Sequence, residues 1–403
     1  MDQTMPKKST YLPGLDGLRA VAILGIVLYH MFPGAVRGGY LGVTLFFVLS
    51  GFLLARTNRM AFQRGDYSVR SYYQRRVRRI YPALLWTIAL TLLAMRLLLP
   101  SGLAGVKAEV ASVLFGYQNW RLILQSQDYF TRISATTPFT HMWFLAVELQ
   151  FYLIWPLLFL IYRAERGKGE DWGTIGVLVG FALVSIGEMA VLYYFYGDAA
   201  RVYYGTDTRM HALLIGCAMG LAPERKRPLI DRDWSIVLFV VCFGALAALM
   251  VLLDGQYAAT YYGLLALSSV LSAVLIRLCA REDLPFRKIF GFRPLAVVGR
   301  RSYEIYLCMY PVMYLLDRLR PVQDPVYLHL LEAAVTLALA FLIHALAQPN
   351  RWLAKAGQPS WKCLARPAFW AMLCAVGVGI WAAAPAERPV LPPRPMTSPA
   401  LTI

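Results

Sequence analysis

Eleven apolar runs divide this sequence, at about 16–34, 38–55, 80–99, 140–162, 173–197, 209–222, 235–254, 257–279, 300–317, 326–347 and 367–384. Nearly all are long enough to cross a bilayer. Backbone in hydrocarbon must satisfy its own hydrogen bonds, so such runs fold as helices. The expected fold class is an all-α polytopic membrane protein, a bundle of about eleven transmembrane helices. A further stretch, Val110 to Leu124, contains Gln118, Asn119 and Arg121 and reads as a surface or re-entrant helix. Composition agrees: 58% of residues are hydrophobic and 16% charged, where a soluble chain carries about a quarter charged.

A net charge of +17 raises the question of nucleic acid, and the placement of the charge answers it. Lys and Arg favour alternate inter-run segments by roughly three to one, which is the positive-inside pattern. It predicts an N-in, C-out chain, accounts for the basic excess and leaves no reason to invoke nucleic acid. The six cysteines show neither a disulfide framework nor metal-ligand spacing. Three segments are expected: a cytoplasmic tail over 1–15, one transmembrane domain over 16–384, and a disordered Pro-rich extracytoplasmic tail over 385–403. The polar start followed by a full-length run reads as a signal anchor rather than a cleavable signal peptide.

Ionisable side chains inside such runs must be paired, hydrogen-bonded or open to a wet cavity, so they mark candidate sites. Arg19 opens the first run, and His30 lies eleven positions on, about 16 Å along the same helix face. That pair suits a helix gripping an anion at one surface and moving a proton deeper in. In the structural reading, Asp16 caps the helix and Arg19 snorkels to lipid phosphates. Before the third run stands Tyr72-Tyr-Gln-Arg-Arg-Val-Arg-Arg-Ile-Tyr-Pro82. Its Arg76 and Arg79 are three apart, and their planar forks suit phosphate; contact with anionic lipid is the competing reading.

His141, Glu148 and Tyr152 share one stripe of the fourth run. Glu148 falls at the depth of His30, so the two are expected to meet in one cavity, with Glu148 orienting His30 or stabilising its protonated form. Asp207, Arg209 and His211 gather at the outer entry of the sixth run. There Asp207 either pairs with Arg209 or His211 or caps the helix, and Arg209 either joins that pair or faces an external acceptor groove. Glu304 is expected to be neutralised by Arg300 or Arg301.

Together these pieces resemble the acyltransferase 3 family of bacterial membrane O-acyltransferases. Tyr11-Leu-Pro-Gly-Leu-Asp-Gly-Leu-Arg-Ala20 with His30 is similar to its opening signature, and Gly39 to Phe52 to its second-span pattern. Arg76-x-x-Arg79 before Ile80-Tyr-Pro82 resembles its cytoplasmic arginine motif. His141-x-Trp-x-Leu-x-x-Glu148-x-x-Phe-Tyr152 resembles its fourth-span motif, and Gly205-Thr-Asp-Thr-Arg209 a common family string. The resemblance implies a protein of the bacterial inner (plasma) membrane. It would move an acetyl or other short acyl group from acyl-CoA, acetyl-CoA foremost, to a hydroxyl of an envelope glycan, glycolipid or secreted small molecule, with no metal. Arg76, Arg79 and Arg19 would hold the CoA phosphates, His30 would be the base and Glu148 its partner. Tyr152, His141, Asp207 and Arg209 would support the acceptor side. Direct transfer and a transient acyl-tyrosine, on Tyr152 or another buried tyrosine, both stay open.

Two departures stand out. Where the family commonly has Tyr-Leu-x-His-x-Pro, this chain reads Tyr306-Leu-Cys-Met309-Tyr-Pro311, and Met309 binds no proton. Many members also carry an SGNH-type extracytoplasmic domain. Here the last transfer is expected within the membrane domain or on a separate SGNH-type protein. The rival reading is a proton-coupled transporter using His30, Glu148 and Arg209, which the lack of an internal repeat disfavours.

Overall fold

The computed structural model describes residues 11–103, 106–125, 137–166, 172–223 and 229–347. The expected run at 367–384, the tail 385–403 and most of the tail 1–15 lie outside the described residues. Within them the chain is helical and contains no strand. The first ten apolar runs correspond to α1 (Pro13–Met31), α2 (Leu41–Gln63), α3 (Val69–Leu98), α6 (Trp143–Arg166), α7 (Trp172–Tyr196), α9 (Thr206–Leu221), α10 (Arg232–Leu252), α11 (Leu265–Ala280), α14 (Ser302–Leu319) and α15 (Pro325–Ala347). Among the described residues, eight helical segments are long and apolar enough to cross a membrane. The remaining two of the ten are α9, which is short, and α14, which carries Glu304, Asp317 and Arg318.

Shorter pieces fill the ends. Val110 to Leu124 is broken into α4 (Val106–Leu114) and α5 (Gln118–Leu124). The break falls at Gly116, whose φ of 72° is left-handed and so favours a residue without Cβ. Further short helices are α8 (Ala199–Tyr204), α12 (Phe286–Ile289) and α13 (Arg293–Arg300).

Local chemistry sets the helix starts that matter for the site. Pro13 stands in the first turn of α1, with Asp16 close behind, as a helix N-terminus favours. Ser68 caps α3 by accepting from the Ser71 amide at 3.1 Å. At 30 residues, α3 is about 45 Å long, well beyond the hydrocarbon thickness. Its polar first turns, with Arg75, Arg76, Arg78 and Arg79, therefore extend past the apolar part that starts at Ile80.

Burial separates centre from rim. In α2, 72% of the apolar window is buried, against 22% in α7 and in α15, whose outward residues, such as Leu183, Val184 and Leu330, suit lipid. The centre is tightly joined. A Cβ added to Gly51 of α2 would strike the Leu213 carbonyl of α9, and one on Gly216 would strike the Val48 carbonyl. Small residues at both crossing points let the two backbones approach. Around this pair, α1 and α11 pack on α2, α14 packs between α3 and α15, and α13 packs on α1.

Candidate active site

Pro156 lies inside α6 and has no N–H, so the carbonyl four residues earlier, on Tyr152, has no helical donor. The Tyr72 hydroxyl fills that vacancy, donating to it at 2.9 Å, and Tyr73 donates to the next carbonyl, on Leu153, at 2.9 Å. These two bonds fix the arginine-bearing start of α3 against α6. One turn on from Tyr72, the Arg76 guanidinium lies 4.8 Å from the centroid of the Tyr152 ring and 5.7 Å from that of Tyr72, a cation–π arrangement. Its Nε has no hydrogen-bond partner among the described residues.

The same contact forms one wall of a cavity with about 630 Å³ of empty space, lined among others by Arg19, Arg76, Arg79, Glu148, Tyr152 and Tyr306. Its residues on α6 run from Tyr152 through Glu148 to Phe144, about 12 Å along the axis. Three guanidinium groups line this cavity together with one carboxylate, Glu148, whose Oε1 accepts from the Tyr152 hydroxyl at 2.6 Å. A second carboxylate stands just behind the wall. Buried Asp16 accepts from Arg19 at 3.1 Å and from the Tyr11 hydroxyl at 2.5 Å, with Arg300 at 3.7 Å. Asp16 thus holds Arg19 in place and offers no side-chain cap to α1. The cavity keeps a positive surplus at its arginine end, which suits a polyanion.

His30 is half-buried near the opposite end of α1 and is not among the residues lining this cavity. A series of rings leads from the wall towards it. Tyr306 meets His141 at 5.1 Å between centroids, His141 stacks on Tyr310 at 5.0 Å, and Tyr310 meets His30 edge-on at 5.4 Å. Tyr306 also donates its hydroxyl to the His141 carbonyl. Both ring nitrogens of His141 are buried with no hydrogen-bond partner at bonding geometry among the described residues. The structure therefore brings Arg19, Arg76, Arg79, Glu148 and Tyr152 together and sets His30 with His141 one layer further on. Glu148 is bonded to Tyr152, and aromatic side chains stand on the way to His30.

The remaining expectations resolve differently. Asp207 is paired by Arg201 through both guanidinium nitrogens, 2.9 and 2.5 Å, rather than by Arg209 or His211. It also accepts from the Thr208 amide at the start of α9. Arg209 is fully buried, donating to Thr44 at 3.0 Å beside the rings of Phe47 and Tyr203, so it faces the interior and not an external groove. Glu304 is bonded to His344 of α15 at 2.6 Å, which corrects its assignment to Arg300 or Arg301. The chain turns between α13 and α14, so Arg300 reaches Tyr11 and Asp16 while Arg301 lies over Phe341. Met309 is buried in the core. Among the described residues, no three His, Cys, Asp or Glu side chains cluster as metal ligands.

Sequence reasoning missed the structural tyrosines. Tyr72 had a readable signal, since it lies one turn before Arg76 and Pro156 frees a carbonyl in the helix bearing Glu148. Tyr306 and Tyr303, which also line the cavity, had none beyond lying in an apolar run.

Residues 12–348 match the acyltransferase domain family known as acyltransferase 3. The O-acetyltransferase OatA of Staphylococcus aureus is 33% identical over 337 residues, covering 82% of this chain and 55% of its own. The peptidoglycan O-acetyltransferase OatA of Listeria monocytogenes is 31% identical over 351 residues, covering 85% and 56%. YrhL of Bacillus subtilis is 35% identical over 351 residues, covering 85% and 55%. The chain thus spans about half the length of these relatives. No solved structure matches the chain at a significant level.

Proposed function

The chain belongs to the acyltransferase 3 family, and from that premise we propose that it is a membrane O-acyltransferase of a bacterial plasma membrane. It moves an acetyl group from acetyl-CoA, or another short acyl group from its acyl-CoA, to a hydroxyl of an envelope glycan. The names of the relatives favour peptidoglycan as that glycan. The observation that carries the reading is the convergence of Arg19, Arg76 and Arg79 on one cavity that continues past Glu148 to Tyr306. A nucleotide-tethered thioester needs both a polycationic grip for its phosphates and an uncharged channel for its arm.

Arg76 and Arg79 hold the phosphates, with Arg19 set by Asp16 as a third contact. The arm lies along α6, where Glu148 and Tyr152 form the polar lining. His30 is the general base that takes the proton of the acceptor hydroxyl as the oxygen attacks the thioester carbon. For the thioester to reach it, Tyr306 at the cavity wall must turn aside, and Glu148 acts as the partner of His30 only in that open state. The acyl group passes directly to the acceptor, or it is completed on a separate SGNH-type protein.

The test uses membranes carrying His30→Ala or Glu148→Gln, supplied with radiolabelled acetyl-CoA. Loss of labelled ester from the envelope fraction in both supports the reading. Undiminished transfer in both would remove it, and solute flux driven by a pH gradient without acetyl-CoA would favour a transporter instead.

A further inference from the structure

A buried carboxylate that this reading leaves idle lies beyond the ring series. Glu109 on α4 has no solvent exposure. Its Oε1 accepts from the Thr137 hydroxyl at 2.5 Å and from the Gln118 side-chain amide at 3.1 Å. Its Oε2 has no hydrogen-bond partner among the described residues. Thr137 Oγ1 is in turn 2.7 Å from Thr140 Oγ1, and the Thr140 hydroxyl approaches the Tyr310 phenol. Tyr310 is the ring that meets His30 edge-on. A line of three hydroxyls therefore joins the neighbourhood of His30 to a carboxylate with a vacant oxygen. The other charged or titratable groups facing this carboxylate are Arg121 of α5 and Tyr314 of α14, with Arg318 stacked on the Tyr314 ring.

We propose that Glu109 is the proton acceptor of the reaction, receiving the proton of the acceptor hydroxyl from His30 by way of Tyr310, Thr140 and Thr137. The inference rests on the reading of His30 as the base. In the transfer, the acceptor O–H bond breaks and its proton goes to His30. The oxygen bonds to the acyl carbon and the C–S bond breaks, leaving a thiolate. That thiolate takes a proton from water at the arginine end and departs as the free thiol. The proton on His30 moves to Tyr310 as each hydroxyl hands its own hydrogen one place along, and the last arrives on Glu109. The hydrogen that Thr137 hands over arrives on Oε1, the oxygen to which its hydroxyl already donates, and Oε2 is the face of the carboxyl left free of the line. Sum and charge balance: one ester and one thiol form, one proton is taken up at the arginine end and one is held on Glu109 for release.

Two physical features suit this task. Burial pushes the Glu109 carboxyl up to about 7, with Thr137, Arg121, the Phe139 amide and Gln118 pulling the other way. A group so placed both takes and gives a proton near neutral pH. The threonine hydroxyls donate and accept at once, so a proton shift needs only their rotation.

The test compares acetyl transfer by the full chain in membranes across pH for wild type, Glu109→Gln and Thr137→Val. Glutamine keeps an Oε1 for Thr137 and Gln118 but holds no extra proton. Both variants should lose at least about ten-fold in kcat with KM for acetyl-CoA held within about two-fold, and both should lose the ionisation near pH 7 from the kcat profile. Thr137→Val leaves Glu109 in place and decides the matter if the glutamine variant folds poorly. A wild-type kcat profile in either folded variant overturns the relay. His30→Ala separates the two levels: if it is inactive while Glu109→Gln is normal, the relay alone fails. If it is fully active, the assignment of the base fails with it.

Discussion

The Tyr72 hydroxyl donates at 2.9 Å to the carbonyl of Tyr152, an acceptor that Pro156 leaves without a helical donor. This bond ties the arginine-bearing helix to the helix that carries Glu148. Tyr72→Phe should strand a buried acceptor and lower stability by about 1–3 kcal/mol. Pro156→Ala restores an amide at that place, so Tyr72→Phe added to Pro156→Ala should do less harm than on the wild type. Melting curves of the detergent-solubilised single and double variants check the cycle. Strict additivity would show that the tyrosine does not serve the proline gap.

Arg76 and Arg79 face a cavity with too little negative charge to balance them. Arg76→Ala combined with Arg79→Ala should raise the KM for acetyl-CoA at least about ten-fold with a much smaller change in kcat. Arg76→Lys should fall between, because an ammonium keeps the charge but not the planar contact with the Tyr152 ring. Steady-state kinetics at two salt concentrations measure both. An unchanged KM in the double variant would leave the arginines a topological role only.

Glu304 is bonded to His344 across α14 and α15. A double-mutant cycle between Glu304→Gln and His344→Gln should give a coupling of about 1 kcal/mol or more, and one between Glu304 and Arg300 close to none. Thermal stability in detergent reads it out. Equal couplings would return the residue to the arginine pair.

Glu109 lies on α4, outside the spanning helices, with burial pushing its carboxyl up to about 7 from 4.5. The folded chain holds this proton more tightly than the unfolded one. Its stabilising contribution is therefore complete below pH 4.5, declines as pH rises and is gone above about 7. The melting temperature of wild type relative to Glu109→Gln should fall across that window and then level off. A difference independent of pH would mean that the carboxyl is not held protonated by burial.

The apolar runs themselves determined that the chain is helical and where its first ten long helices lie, because hydrophobicity over some twenty residues and the need to satisfy the backbone act locally. Spacing alone placed Arg76 and Arg79 one turn apart and Glu148 on the stripe of Tyr152. Side-chain pairing is another matter, since it depends on how each helix is rotated and tilted against neighbours distant in sequence. That is why Asp207 went to Arg201, Glu304 to His344 and Arg209 into the core. The separation of His30 from Glu148 by a layer of rings has the same origin. Two residues on two helices meet only if their faces converge, and that rests on the packing of α14, whose Tyr306 lines the cavity while its Tyr310 meets His30.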